Sequence, residues 1–421
     1  MNKKIANIFK GDRVIWMIFF FLCMISIVEV FSASSGLTYK SNDYITPIAK
    51  HIGTMIAGVL LMLVVTNIQC RFFKLIMPIA LIFSFITLIM VLFLGEDVNG
   101  ANRTLFGFQP SEIAKGSLIL AEAQILSKCQ NDSGTDPLAF KIIMIVTVIF
   151  CLLIGNENLS TAVLLFGVVY IMMFIGRVSL RQLGWVAAVV GGIVTLAVGL
   201  ILLVGDGKDK SPQMVKQDTI EVVAKTNTKR TTIWDKFFHR ATTWKGRILK
   251  FFDNEEIPPS KFDLDKDAQV GHANIAIVSS NVRGVGPGNS VERDFLSQAF
   301  SDFIYAIIIE ELGIGGAIFV AILYVALLFR TSMLANRCEN SFPALLIMGL
   351  ALLLATQAVF NMFVAVGLVP VTGQPLPLIS KGGTSTIINC IYIGAILSVS
   401  RTAKKKDTKN KVVPEVAVAT V

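Results

Sequence analysis

Charge is scarce in this chain. Of its 421 residues only 16% are Asp, Glu, Lys or Arg, whereas an ordinary soluble protein carries about 25%. A soluble fold of this length is excluded on that ground. Cysteine is scarce as well, with six in all and none between 205 and 299. Cys23, Cys151 and Cys390 fall in apolar runs, and Cys70, Cys129 and Cys338 in short connectors. That pattern excludes a disulfide framework, and no Cys/His metal signature is present. The sequence also lacks an internal repeat at a fixed period and any low-complexity segment.

What is abundant is apolar sequence, 54% of the chain, with a mean hydropathy of +0.68. Ten apolar segments stand out, at 14–33, 48–66, 75–94, 111–127, 140–154, 159–176, 183–204, 300–329, 343–368 and 383–400. Each is close to the ~20 residues that a bilayer-crossing helix needs. The expected fold is all-α, a polytopic membrane protein of about ten transmembrane helices. Seven helices fill 14–204 and three fill 300–400, with one large extracytoplasmic loop, 205–299, between helices seven and eight. The first segment is too long and bulky for a signal peptide, and no small-residue cleavage site follows it.

Orientation follows from the basic residues. The tail 1–13 holds Lys3, Lys4, Lys10 and Arg13. Alternate connectors carry Arg71 and Lys74, Lys128 and Lys141, Arg177 and Arg181, Arg330 and Arg337. The tail 401–421 adds Arg401, Lys404, Lys405, Lys406, Lys409 and Lys411. All fall on one side if the span count is even, which puts both termini in the cytoplasm. The net charge of +9 is then a topology signal and implies no nucleic-acid partner.

The large loop divides into parts. Residues 205–232 are polar. Within 233–252, Trp234, Phe238, Ala241, Ile248 and Phe252 recur at helical spacing, with Lys236, Arg240, Lys245 and Arg247 between them. This reads as a basic amphipathic helix, either lying in the membrane interface or packed on top of the bundle. Asp263, Asp265 and Asp267 read as a solvated turn, and their spacing is not that of an EF-hand. Gly284-Val285-Gly286-Pro287-Gly288-Asn289 is a tight glycine turn that shapes the backbone. It is no nucleotide loop, because no Lys-Ser/Thr follows and the proline removes an N–H that phosphate would need.

Several polar residues sit where apolar ones are expected. Glu112 and Lys115 lie one turn inside the fourth segment, where each charge costs roughly 2.5–3.5 kcal/mol at a helix centre and less near an end. Spaced i, i+3, they can pair with each other, and Arg103 lies just outside the same span. Asp302 opens the eighth segment, and on spacing alone it reads as a helix cap or first-turn acid. Glu310 and Glu311 follow in the same run and cannot both face lipid. The bland reading pairs one with a basic residue of a neighbouring span and leaves the other near an interface. Asn361 lies within the ninth segment. Beyond it, 367–385 holds Pro370, Pro375, Pro377 and Gly367, Gly373, Gly382, Gly383, a folded connector of the kind tolerated only where buried or lining a cavity.

Three motifs stand in register with these segments: Phe108-Gln109-Pro110-Ser111-Glu112 with Lys115; Ser301-Asp302-Phe303 followed by Glu310-Glu311-Leu312-Gly313; and Pro370-Val371-Thr372-Gly373 through Pro375-Leu376-Pro377 to Ser380-Lys381-Gly382-Gly383. Together they resemble the shape, elongation, division and sporulation (SEDS) family of bacterial cell-wall proteins, over 14–400. Gly288-Asn289-Ser290 and Leu378 are closer to the division-type members than to the elongation-type ones. The chain departs from the family pattern at Thr104, at Lys381 where an aromatic is usual, at Glu157-Asn158-Leu159-Ser160-Thr161-Ala162, and at Phe300-Ser301.

The resemblance implies an inverting peptidoglycan glycosyltransferase of the bacterial cytoplasmic membrane. It would polymerise lipid II at the outer face, for septal wall synthesis. Asp302 would then be the catalytic base, with Lys115 and Arg103 meeting the leaving pyrophosphate and Glu112 orienting Lys115 or binding a cation. Gln109, Ser111, Asn361, Pro370, Gly373, Ser380, Gly382 and Gly383 would contact substrate. A divalent cation, Mg or Mn, fits such a reaction, and no organic cofactor is implied. Expected partners are a class B penicillin-binding protein, other division proteins and membrane lipids. Two other readings remain open, a lipid II transporter and a scaffold for the transpeptidase.

Overall fold

The computed structural model describes residues 10–41, 46–97, 102–105, 107–131, 134–204, 264–280, 282–296 and 299–409. The amphipathic stretch 233–252 and Asp263 lie outside the described residues, and so do the side chains of Arg103, Asp265 and Asp267.

Helices occupy all ten apolar segments: α1 (Arg13–Ser41), α2 (Thr46–Asn67), α3 (Cys70–Leu94), α4 (Pro110–Lys128), α5 (Pro137–Glu157), α6 (Leu159–Ile175), α7 (Leu180–Val204), α9 (Ile304–Ala335), α10 (Ser341–Ala365) and α11 (Thr384–Lys409). The eleventh, α8 (Leu264–Ser279), is the one the sequence reading missed. Asp265 and Asp267 fall in its first turn rather than in a solvated turn. Two short hairpins flank α4: β1 (Glu96–Asp97) with β2 (Asn102–Thr104), and β3 (Gln130–Asn131) with β4 (Gly134–Thr135). The chain divides into two units, Leu180–Glu256 and the remainder, so α7 stands by itself in the description that follows.

Among the described residues α1, α2, α3, α5, α9 and α10 are long and apolar enough to cross a membrane. Helices α6 and α7 are apolar but shorter in that respect. Helix α4 carries Glu112, Lys115 and Glu122 in its body, and α11 carries Ser385, Thr386 and Asn389, all buried. Phe20, Leu60, Ile79, Phe93, Leu152 and Phe174 are 59–69% exposed, which suits hydrocarbon surroundings and not water. This is a multi-pass membrane protein.

Helix α10 is the centre of the larger unit, packing against α4, α6, α9 and α11. Its 25 residues span about 37 Å. Helix α11 lies closely along α2, where a Cβ on Gly394 would stand 2.8 Å from the Met62 carbonyl oxygen. Small residues allow such approach between membrane helices. Helices α4, α9 and α11 all have their N-terminal ends, and α10 its C-terminal end, in the region where the three sequence motifs meet.

Candidate active site

The first turns of α4 hold the buried ion pair. Pro110 begins the helix, where its missing N–H costs nothing. Lys115 Nζ lies 2.8 Å from Glu112 Oε1 and donates to Gln357 Oε1 of α10 at 3.1 Å. Lys115 is 0% exposed and Glu112 2%. Tyr392 of α11 donates to the Glu112 carbonyl oxygen at 2.5 Å. In this conformation the Lys115 ammonium faces protein groups only. Ser111, which precedes Glu112 in sequence, is buried, and the Gln109 amide donates to Thr384 Oγ1 at 3.3 Å, joining the start of α4 to the start of α11.

Asp302 stands elsewhere on this end of the bundle. Helix α9 begins at Ile304, so Asp302 lies in the turn ahead of it, and the helix N-cap position is Phe303. The cap reading therefore does not hold. Ser301 Oγ donates to Asp302 Oδ1 at 3.0 Å, and the residue is half-buried. The turn is tied down by its backbone. Asn361 Nδ2 of α10 donates to the Asp302 carbonyl oxygen at 2.8 Å and to that of Gln374 at 2.7 Å. Ser380 Oγ donates to the Ser301 carbonyl oxygen at 2.6 Å, and the Lys381 amide to that of Phe300 at 2.9 Å.

The connector between α10 and α11 has irregular backbone, and its carbonyls are met from several helices. Gln357 Nε2 donates to Pro375 O at 3.2 Å, Asn158 Nδ2 to Thr372 O at 3.2 Å and Ser26 Oγ to Ile379 O at 2.7 Å. Tyr324 donates to the Pro377 carbonyl, and Gln374 to Thr161. This is how non-helical backbone is accommodated at membrane depth. Gln357 and Asn361 share one face of α10 at i, i+4. One face thus serves both the Glu112–Lys115 pair and the Asp302 turn.

The three separated segments singled out in the sequence therefore converge. The profile of the FtsW, RodA and SpoVE cell cycle proteins matches residues 12–405. The chain belongs to this family. Similar relatives include the "Probable peptidoglycan glycosyltransferase FtsW" of Coxiella burnetii, 27% identical over 95% of this chain and 99% of that one. The "Peptidoglycan glycosyltransferase MrdB" of Escherichia coli K12 is 26% identical over 83% and 84%. In fold, the chain is similar to one from a peptidoglycan synthase complex (TM-score 0.65, 22% identity, 93% and 98% covered). It is also similar to the Thermus thermophilus rod shape determining protein RodA (TM-score 0.63, 20% identity, 94% and 98% covered).

In this FtsW/RodA/SpoVE chain, Glu310 and Glu311 serve the loop after α8. Among the described residues neither pairs with a base from a neighbouring span, and both are buried, being 1% and 0% exposed. Glu310 accepts from the Val291 amide at 2.9 Å and from Ser290 Oγ. Glu311 accepts from the amides of Gly288 at 2.9 Å and Ser290 at 3.3 Å, and from Ser32 of α1. Arg293 of the loop stands 3.9 Å from Glu311. The loop enters a break in α9 at Gly313, whose φ of 69° and ψ of −175° are not helical. A Cβ on Gly284 would stand 2.3 Å from the Glu311 carbonyl oxygen, so the close approach requires glycine.

The other site residues of the family motifs divide. Ser380, Gly382 and Gly383 lie directly against the Asp302 turn or next in sequence to what does. Pro370 and Gly373 lie further back along the connector, Gly373 with φ of 68°. Arg103 is in β2. The sequence reading passed over Gln357, Ser32 and Arg293, none of which has a local signature, and it named Ser301 and Ser290 only as members of motifs, without a role. It also passed over Glu29 and Glu122, both buried with no hydrogen-bond partner on either carboxylate oxygen among the described residues. An acid inside an apolar run was signal enough for those two. Among the described residues no group of three or more His, Cys, Asp or Glu is gathered for a metal.

Proposed function

We propose that this chain polymerises lipid II into glycan strands as an inverting peptidoglycan glycosyltransferase, in septal wall synthesis, at the outer face of the cytoplasmic membrane. The observation that carries this reading is the convergence of the three motifs at the end of the bundle that holds Asp302. Its half-open carboxylate is set in a turn that Asn361 and Ser380 fix by its backbone. Positioned groups of this kind suit general base catalysis, worth about 10²–10⁴-fold. The acceptor GlcNAc 4-hydroxyl attacks the anomeric carbon of the donor MurNAc, and its proton passes to Asp302. The bond from that carbon to the pyrophosphate oxygen breaks with inversion, and the polyprenyl pyrophosphate leaves.

A magnesium or manganese ion would need few protein ligands here, since Mg²⁺ commonly takes one or two carboxylates together with substrate phosphates. Asp302 is the carboxylate that fits. Such an ion would supply charge stabilisation to the pyrophosphate. The basic connectors support a topology with both termini in the cytoplasm and the Asp302 end outside. A class B penicillin-binding protein is the proposed partner, and the similar chain from a peptidoglycan synthase complex supports that pairing.

The test is polymerisation of labelled lipid II by the purified chain with its cognate transpeptidase, in the presence of penicillin and moenomycin, with and without EDTA. Drug-resistant polymer that falls with EDTA is expected. Absence of polymer from an intact complex would favour the lipid II transporter or the scaffold.

A further inference from the structure

We propose that Lys381 is the anion-binding group of this site and takes the diphosphate of an isoprenoid-diphosphate donor next to Asp302. The proposal rests on the glycosyl transfer reading above. It starts from a gap in that reading. A leaving diphosphate carries more negative charge than one divalent ion neutralises, and the intramembrane lysine of the first motif is closed off. Lys115 is 0% exposed and its ammonium is bound to Glu112 and Gln357.

Lys381 is placed differently. Its amide donates to Phe300 O at 2.9 Å, and the preceding Ser380 hydroxyl donates to Ser301 O at 2.6 Å. Those two contacts lay residues 380–381 against 300–301, immediately ahead of Asp302. The ammonium stands over the Phe300 ring, 5.0 Å from its centroid. That ring is the residue two before Asp302 in sequence. The side chain is half-buried and makes no ion pair among the described residues. Burial, and then repulsion from Lys50 on α2, lower its proton affinity below the ordinary lysine range. An anion beside a partly buried ammonium favours its charged form and offsets its desolvation.

The floor beside Lys381 is open. Chain neighbours apart, no atom of the described residues lies within 4 Å of where a Cβ would stand on Gly383 or on Gly107. Gly107 precedes Gln109, whose amide is bonded to Thr384. A bulky diphosphate can therefore approach the backbone where the first and third motifs meet. As the anomeric carbon–oxygen bond breaks, both electrons stay on the diphosphate oxygen, so its negative charge grows in the transition state. An ammonium already in place favours that state over the ground state.

Two measurements separate this inference from the reaction reading. In the first, the full-length chain in micelles is titrated with farnesyl diphosphate and with farnesol. Wild type is expected to prefer the diphosphate, Lys381→Met to lose about tenfold of that preference, and Lys381→Arg to keep it. Asp302→Asn should still prefer the diphosphate. In the second, Lys381→Met and Lys381→Gln are assayed for lipid II polymerisation in the complex. The drop in kcat/KM should be about 10–100-fold, below the 10²–10³ typical of an enclosed donor because Lys381 is half-open. Lys381→Arg should rescue it, and the thermal denaturation midpoint should match wild type.

If wild type makes polymer and both neutral variants bind diphosphate and polymerise as wild type does, the inference is overturned and the glycosyltransferase reading stands. If no variant makes polymer but the neutral variants lose the diphosphate preference, the anion site stands and the reaction reading falls.

Discussion

The segment 302–311 puts three carboxylates to two uses. Asp302 is half-buried, ahead of the helix, with its position set through its backbone carbonyl. Glu310 and Glu311 are fully buried two turns on and saturated by hydrogen bonds from a loop that enters a broken helix. Buried acids inside a membrane protein are commonly taken as functional, yet here the deeper pair builds the frame and the shallower acid is the one that keeps exposed surface. The Glu112–Lys115 pair sides with the frame by the same criterion, since both side chains are closed off from the surface and bonded to α10 and α11. Access separates the two uses better than depth does.

That contrast can be broken by substitution. The largest effect is expected at Asp302: Asp302→Asn should lower lipid II polymerisation by about 10²–10⁴-fold and leave the thermal denaturation midpoint unchanged. Next comes Lys115→Met, which strands a buried carboxylate and should cost about 3–5 kcal/mol of stability, measured by denaturation in micelles. Adding Glu112→Gln should recover much of that loss, because a neutral pair no longer buries an unpaired charge.

A smaller loss, about 1–3 kcal/mol, is expected for Glu310→Leu, which leaves the Val291 and Glu292 amides without their acceptor. Hydrogen exchange should localise the opening to 288–293.

The smallest effect concerns the other end of α9. Burial raises the Asp12 carboxyl, but the Arg330 guanidinium at 2.6 and 3.1 Å and the amides of Ile15 and Val14 outweigh it and hold the group below the usual carboxylate range. A depressed pKa gives a contribution present at neutral pH and lost as pH falls through the folded value. Wild type should therefore lose more stability than Asp12→Asn on acidification below the ordinary carboxylate range, as read by denaturation midpoints across pH.

Much of the fold was legible because a bilayer imposes a one-dimensional rule, an apolar run of fixed length. Helix α8 broke that rule. It buries Gly271, Ala273 and Ala276 and leaves Ile275 and Val278 44% and 83% exposed, so its apolar residues do not mark its packed face. In the site, Glu112 and Lys115 were legible as an i, i+3 pair. Their third partner, Gln357, was not, because that contact spans 242 residues. The role of Glu310 and Glu311 was hidden for a related reason: their partners are mostly backbone amides, which carry no sequence signature. Lys381 was visible as a departure, but only its backbone ties to 300–301 show what it stands beside.

The most direct test sets Asp302→Asn and Glu310→Leu side by side in the reconstituted complex, each scored for polymer per folded molecule and for denaturation midpoint. The predicted result is a crossover: Asp302→Asn keeps its midpoint and loses polymer, whereas Glu310→Leu loses midpoint and keeps polymer per folded molecule. Wild-type polymerisation by Asp302→Asn, or a loss of polymer matched by its unfolding, would contradict the division between chemistry and frame.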